Sequence, residues 1–208
     1  GMRRRLRLLS RLGWLLAALH RRGLCFGDVS PMNVFVSSDL THEQVWLIDA
    51  DNIDHAGMAS RGLYTPRYGA PEIVCGDATA SMTTDAWSFA TLAFETLTLT
   101  HPLLGDDVLD GEPELEERAL RGELAWIGSP DDDSNRTVRG LPRELLLSRQ
   151  LLALAEATFG VGCSQPQERP TVAAWAEALE AAAAISIVCD APGCRQTFPV
   201  ALPECPFC

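Results

Sequence analysis

The chain has 208 residues, of which 47% are hydrophobic, so it is long enough for one domain of fair size and a small appendage. Its formal net charge of −11 argues against a nucleic-acid-binding surface over the main domain. It has no run of about 18 apolar residues, which excludes a membrane-spanning helix, and we expect a cytoplasmic protein.

The N-terminal segment predicts a helix over residues 3–22. Leucines recur there at helical spacing, and Gly23 follows as a helix stop. Its start is rich in arginine, which we interpret as a solvated helix face. All 17 basic residues of the chain are arginines, so the sequence contains no lysine.

The next stretch, FGDVSPMNVFVSSDLTHEQVWLIDAD, carries the candidate chemistry. Asp28 and Asn33 precede a short apolar strand over 34–36, and a second strand over 45–48 leads to Asp49. Two short strands joined by a turn bring their ends together, so these three polar side chains are expected to lie close. Such a cluster suits a divalent metal on a phosphate chain, with one carboxylate left to accept a hydroxyl proton. The alternative is an Asx-rich turn in a plain hairpin.

Three later segments complete a recognisable order. They are YTPRYGAPEIV at residues 64–74, a nearly all-apolar helix over 84–99 that begins TDAWSF, and QERPTVAAWAEAL with a helix over 172–184. Between them we expect a loop over 51–63, acidic surface loops over 105–117 and 129–135, a short helix over 115–122 and an amphipathic helix over 142–159. We take Thr83 or Thr84 as the N-cap of the apolar helix.

In this order, the motifs resemble the C-terminal lobe of a bacterial, eukaryotic-type Ser/Thr protein kinase. The stretch from Asp28 to Asn33 is similar to H-R-D-x-x-x-x-N, and Asp49 stands where D-F-G begins. The resemblance covers most of the chain. It implies an α+β, mainly α, kinase-like lobe over residues 3–186 that lacks the N-terminal lobe.

The same resemblance assigns roles to individual residues. Asp28 is the catalytic base, and Asn33 and Asp49 bind Mg²⁺ and, through it, ATP. Three further positions are then structural or regulatory: Asp85 holds the backbone of the catalytic loop, Arg169 pairs with Glu72, and Thr65 lies in the activation segment, as is typical of Ser/Thr kinases.

The sequence also departs from the family pattern. The H-R-D triplet reads Phe26-Gly27-Asp28, and the lysine two residues after the aspartate is Ser30. Asp51 replaces the glycine of D-F-G, and no Gly-rich loop or lysine-bearing strand is found. Because one cationic group is worth about 10³ to 10⁵ in phosphoryl transfer, we expect very weak transfer or none from this chain alone.

Three functional hypotheses follow. The first is a truncated Ser/Thr kinase-like protein, and the second is a non-catalytic pseudokinase adaptor. The third, a small-molecule phosphotransferase, is suggested by the I-D-x-D strand end but disfavoured by YTPRYGAPE and Arg169. We expect a protein partner, the missing N-lobe or a second copy to cover the first helix and residues 34–36, because an exposed apolar surface tends to be buried.

The C-terminal segment 187–208 forms the appendage. It contains two cysteine pairs, and four thiolates at this spacing favour tetrahedral Zn²⁺ in a segment too short for its own core. The segment resembles a zinc ribbon; two disulfides are the alternative. The proposed zinc ligands are Cys189, Cys194, Cys205 and Cys208.

Overall fold

The structure is a computed structural model that describes residues 1–55 and 64–208. Its helices are α1 (Met2–His20), α2 (Pro71–Val74), α3 (Met82–Thr98), α4 (Asp106–Asp110), α5 (Pro113–Leu120), α6 (Arg143–Leu146), α7 (Arg149–Phe159), α8 (Val161–Ser164) and α9 (Val172–Ala184). Its strands are β1 (Leu24–Cys25), β2 (Val34–Val36), β3 (Val45–Leu47), β4 (Asp54–His55), β5 (Ser186–Val188) and β6 (Thr197–Pro199).

The core lies between three helices that are far apart in the sequence. α1 packs along α9, and α3 lies against both. Four leucines of the α1 stripe, Leu6, Leu9, Leu12 and Leu16, are buried here, as their spacing predicts, whereas Leu15 is 41% exposed. Gly13 allows the close approach, because a Cβ at this position would lie 2.9 Å from the Cβ of Ala176. The largest fully buried rings are Trp87, Trp175, Phe26, Phe89, Phe94 and Phe159.

α3 is buried along most of its length, as its apolar sequence predicts. Its N-cap is Ser81, so the expectation of Thr83 or Thr84 was wrong. The Ser81 hydroxyl accepts from the Thr84 amide at 3.2 Å, and the Thr84 hydroxyl accepts from the Ser81 amide at 2.8 Å. This reciprocal capping box satisfies two N–H groups that a helix start leaves without partners.

The strands form three antiparallel two-stranded sheets, β1 with β4, β2 with β3, and β5 with β6. In the β2–β3 hairpin Val34 is paired with Leu47 and Phe35 with Trp46. One face of this hairpin packs on the core. Phe35 and Trp46 are 60% and 48% exposed, so the hairpin carries an aromatic cross-strand pair in contact with solvent.

Three secondary-structure predictions need correction. The helix expected over 142–159 is two helices, α6 and α7, since Leu147 is extended and the Ser148 side chain caps a new start by accepting from the Leu151 amide. The helix expected over 115–122 begins earlier, with Pro113 in its first turn, where its missing N–H costs nothing. A further helix, α4, lies within the stretch predicted to be a loop at 105–117.

The loop expected over 51–63 falls partly outside the described residues. Within the described part, Ala50–Asn52 form a 3₁₀ turn and Asp54 pairs with Cys25 in the β1–β4 sheet. The helix predicted over 172–184 has those bounds in α9, with Thr171 as its N-cap. No helix in the described ranges is long and apolar enough to cross a bilayer.

Candidate active site and metal centre

The catalytic-loop candidate Asp28 is held by its own segment. A 3₁₀ turn at Pro31–Asn33 places Asn33 just before β2. The Asn33 amide nitrogen donates to the backbone oxygen of Asp28 and to its Oδ2, both at 2.9 Å. The fully buried Ser30 occupies the start of this turn. The five-residue spacing therefore brings the Asp28 carboxylate and the Asn33 amide into contact.

Asp49 follows the strand that is paired with β2, so its backbone is close to that of Asn33. The amide of Ile48 donates to the backbone oxygen of Asn33 at 3.0 Å, which continues the β2–β3 pairing up to Asp49. Asp49 is exposed and left-handed, with φ 57° and ψ 55°. This conformation is uncommon for a residue with a side chain, and strained residues concentrate at functional sites. Among the residues that the structure describes, neither Asp28 nor Asp49 belongs to a group of three or more acidic, histidine or cysteine side chains close enough to hold a metal ion.

Thr65 of the YTPRYGAPE segment packs directly on Asp28. Its amide and hydroxyl lie 2.7 and 2.9 Å from Oδ1 of Asp28, and the hydroxyl lies 2.9 Å from Oγ of Ser30. A carboxylate offers about four acceptor positions. Asn33 and the two Thr65 groups occupy most of them, so Asp28 retains little free acceptor capacity toward an incoming hydroxyl.

Asp85 on α3 anchors the backbone of the catalytic loop. Its carboxylate is 2% exposed on α3 and accepts from the amides of Phe26 at 2.7 Å and Gly27 at 2.9 Å. His20, at the end of α1, places Nε2 3.0 Å from Oδ2 of the same carboxylate. The sequence motif suggested the loop contact but not the contribution of His20, whose only signal was its position just before the loop.

Arg169 and Glu72 form a two-pronged ion pair. The guanidinium nitrogens Nη1 and Nη2 lie 2.6 and 2.7 Å from the two oxygens of Glu72. The Arg169 side chain is fully buried and also donates to the backbone oxygens of Gly162 at 2.7 Å and Thr83 at 3.1 Å. It lies 4.8 Å from the ring centroid of Trp87. The pair joins Glu72 on α2 to Arg169 before α9, and Arg169 also contacts the first turn of α3 through Thr83.

Sequence reasoning missed two further supports of the activation segment. His101 accepts from the amide of Leu103 at Nδ1, and its Nε2 lies 2.8 Å from the backbone oxygen of Arg67. Burial holds the pKa of His101 below its ordinary value, so the ring is neutral and donates to Arg67. The Tyr68 hydroxyl hydrogen-bonds Glu95 on α3. Of these two residues, only His101 was marked in the sequence, by the His101-Pro102 turn that follows the apolar helix.

The four C-terminal cysteines form a separate cluster. Their sulfurs all lie within 4.8 Å of one another, with Cys189 and Cys208 at 3.6 Å and Cys194 and Cys205 at 3.8 Å. Sulfurs held at about 2.3 Å by a tetrahedral Zn²⁺ would be about 3.8 Å apart, whereas a disulfide is about 2.05 Å long. The donor set and its spacing fit a zinc ion, and the four thiols are free cysteines.

Comparison with known proteins defines the class. The family described as "Protein kinase domain" matches residues 7–180, so the chain belongs to the protein kinase family. A solved structure, the Cydia pomonella granulovirus kinase PK-1, superposes with a TM-score of 0.59 at 16% identity. The superposition covers 86% of this chain and 59% of that one. At this identity the similarity shows the fold alone.

The curated relatives are kinases or kinase subunits of much greater length. The chain is 33% identical over 113 residues to the serine/threonine-protein kinase pkn2 of Myxococcus xanthus, which covers 49% of the chain and 13% of pkn2. It is 33% identical over 101 residues to human ribosomal protein S6 kinase alpha-3 and 32% over 102 residues to bovine inhibitor of nuclear factor kappa-B kinase subunit beta. Each of those matches covers 48% of the chain and 13% of the relative.

The Arg169–Glu72 pair gives a stability prediction. Arg169→Ala leaves the Glu72 carboxylate, whose side chain is 15% exposed, without its cation. We expect the free energy of unfolding to fall by on the order of 3–5 kcal/mol. Urea denaturation followed by circular dichroism measures this. The matched control is Arg136→Ala, since both partners in the Arg136–Asp133 pair are at least 70% exposed and such pairs contribute about 0–1 kcal/mol. Equal losses in the two variants would contradict the prediction.

Proposed function

We propose that this chain is the C-terminal, substrate-side part of a Ser/Thr protein kinase-like protein, with little or no phosphoryl transfer of its own. The proposal rests mainly on one observation. Asp28, held by Asn33 and Thr65, lies on a loop whose backbone is anchored by the buried Asp85. That arrangement presents a carboxylate beside the activation segment, where a peptide hydroxyl would be bound. The match to Ser/Thr kinases supports the class of acceptor.

Asn33 and Asp49 are the residues that would bind Mg²⁺. Both supply the oxygen ligands that Mg²⁺ prefers. Asn33 directly precedes β2 and Asp49 follows β3, and the Ile48 amide donates to the backbone oxygen of Asn33, which supports this assignment. When bound, Mg²⁺–ATP supplies the phosphoryl group and neutralises charge on its oxygens. Asp28 is the residue that would accept the proton of an attacking hydroxyl, and Asn33 keeps its carboxylate oriented through a 2.9 Å hydrogen bond. Because Thr65 also occupies this carboxylate, the arrangement favours little or no transfer.

The electrostatics of this site are unfavourable for a polyanion. Three carboxylates, Asp28, Asp49 and Asp51, belong to the loop ends, and the chain has no lysine. Ser30, where the family pattern has a lysine, contacts Thr65 instead. Mg²⁺ holds most of its waters and depends on phosphates that other groups position. Nucleotide binding by this chain alone should therefore be weak, and a second source of cations would be needed for transfer.

Phosphoryl transfer by the isolated chain tests this proposal. We expect Mg²⁺–ATP to bind more weakly than about 1 mM by titration calorimetry. We also expect the wild-type chain to transfer no more radiolabel from ATP to a basic protein substrate than the Asp28→Asn and Asp49→Asn variants do. Asp107→Asn, an exposed carboxylate on α4, is the control for the change in charge. Transfer well above background that survives in the control and disappears in both site variants would overturn the inactive assignment.

We propose zinc as the occupant of the cysteine cluster. Four thiolate sulfurs at tetrahedral spacing select a borderline-soft ion. A structural zinc ion would hold together a segment that is otherwise a single short hairpin, β5–β6.

Elemental analysis tests the zinc proposal. Protein purified without chelator should contain one zinc per chain, and Cys205→Ser should lower this by at least about tenfold because one of four ligands is lost. Cys75→Ser, an exposed cysteine outside the cluster, should keep full occupancy. Disulfide-linked peptides among the four C-terminal cysteines in mass spectrometry, or equal zinc in all three proteins, would rule the proposal out.

We further propose that a protein covers the aromatic face of β2–β3. In a solution of the purified chain, this protein is a second copy of the same chain. Beside Phe35 and Trp46, Met32 is 73% exposed and Ile48 37% exposed. Contiguous exposed apolar surface of this kind favours association. A role as a non-catalytic adaptor would use the same surface. The small-molecule phosphotransferase hypothesis receives no support from the curated relatives, whose names are those of a serine/threonine-protein kinase, a kinase of a ribosomal protein and a kinase subunit.

Sedimentation velocity tests this surface. The wild-type chain should associate with rising concentration, and Trp46→Ser should shift it toward monomer because half of the aromatic pair is removed. Leu109→Ser, at a 40% exposed position on α4, serves as the control and should associate like the wild type. A wild-type chain that remains monomeric at high concentration would contradict the proposal.

A further inference from the structure

The first turn of α1 has no cap of its own. Helix starts leave four N–H groups without intrahelical partners, and Ser, Thr, Asp or Asn at the N-cap usually accepts from one of them. The N-cap of α1 is Gly1, which provides no side-chain acceptor. The amide of Arg3 instead donates to the hydroxyl of Thr197 at 2.7 Å, across 194 positions of sequence.

Thr197 is part of the cysteine-bearing hairpin. It begins β6 and is paired with Val188 of β5. The Arg3 guanidinium also donates to the backbone oxygen of Ser186, at the start of β5. Both strands of the hairpin therefore contact the same residue of α1, one through a side-chain hydroxyl and one through a carbonyl.

The hairpin is also packed on the main core. Phe198, next to Thr197, is 6% exposed, and Phe207 packs against the main hydrophobic cluster. β6 lies against α1 and α6. The C-terminal segment is therefore attached to the rest of the chain at two places. It follows the end of α9 in the sequence, and it also packs on the N-terminal turn of α1.

The cysteine cluster flanks Thr197 in the hairpin. Cys189 follows β5 directly, and its amide donates to the backbone oxygen of Gln196, the residue before Thr197, at 2.8 Å. Cys194 precedes β6, whereas Cys205 and Cys208 follow it. A two-stranded hairpin is at best marginally stable alone, so a metal that joins the four sulfurs would provide most of its rigidity.

We propose that the C-terminal segment is a metal-dependent cap on α1. When the four sulfurs bind zinc, Thr197 and Ser186 are held against Arg3, and the first turn of α1 is stabilised. When the metal is removed, the hairpin loosens and this turn frays. This proposal rests on zinc binding, and it adds that the metal controls the stability of a helix whose other end, His20, contacts Asp85 below the catalytic loop.

Amide hydrogen exchange by NMR on the full chain tests the proposal. In the zinc-loaded protein we expect the amide of Arg3 to be protected. Removing zinc with a chelator should speed its exchange by about fivefold or more, the change typical of losing an N-cap, while amides in the middle of α3 are unaffected. Zinc content is measured on the same samples.

Two variants separate the cap from general destabilisation. Thr197→Val keeps the shape and the strand propensity but removes the hydroxyl, so it should speed Arg3 exchange by about fivefold while zinc content stays at one per chain. Thr79→Val, at an exposed loop position, should behave like the wild type. Chelation should also change Arg3 exchange less in Thr197→Val than in the wild type.

Each outcome is decisive. Zinc present with Arg3 exchange unchanged by chelation, or by Thr197→Val, would overturn the cap and leave the zinc site standing. Protein that contains no zinc and takes none up from solution would overturn both the zinc site and its role as a cap.

Discussion

The buried carboxylate of Asp85 is the contact on which the rest of the site depends. A carboxylate that is 2% exposed is costly to bury unless its oxygens are hydrogen-bonded. Here the cost is offset by two backbone amides of the catalytic loop and by His20. Because these donors come from the loop and from α1, one side chain on α3 sets the position of both. Asp28 then follows the anchored Gly27 directly.

The distribution of charge separates the structural from the catalytic features of the chain. Arg169, whose side chain is fully buried, stabilises the architecture by pairing with Glu72 and stacking on Trp87. The loop ends around Asp28 and Asp49 carry carboxylates and have no lysine near them. The buried cation therefore serves the architecture, whereas the described loop ends carry negative charge.

The C-terminal cysteine segment adds a second kind of constraint. Hydrophobic burial orders the helical part, where α1, α3 and α9 share a core. The C-terminal segment is too short for such a core and packs mainly Phe198 and Phe207 against the rest of the chain. Its four cysteine sulfurs lie within 4.8 Å of one another. The two constraints meet at Arg3, whose backbone belongs to α1 and whose hydrogen bonds go to the hairpin.

Local patterns in the sequence were sufficient for several features. The apolar periodicity and Thr171 give α9 its bounds, and Gly23, with φ 77°, follows the end of α1 because it adopts a left-handed conformation without strain. Short-range spacing likewise placed Asn33 beside Asp28. The spacing of the four cysteines indicated a cluster. Each of these depends on residues close in the chain, so composition and spacing carry the information.

Long-range contacts had to come from the tertiary structure. Whether 142–159 is one helix or two depends on how Ser148 competes for the Leu151 amide, a choice that periodicity does not reveal. The contact of Thr65 with Asp28 spans 37 positions, and that of Thr197 with Arg3 spans 194. A hydroxyl acquires such a partner only when the packing of other elements brings the two together. The sequence by itself therefore determined the three long helices α1, α3 and α9, the candidate residues and the cysteine cluster, while the tertiary structure decided which distant groups hold them in place.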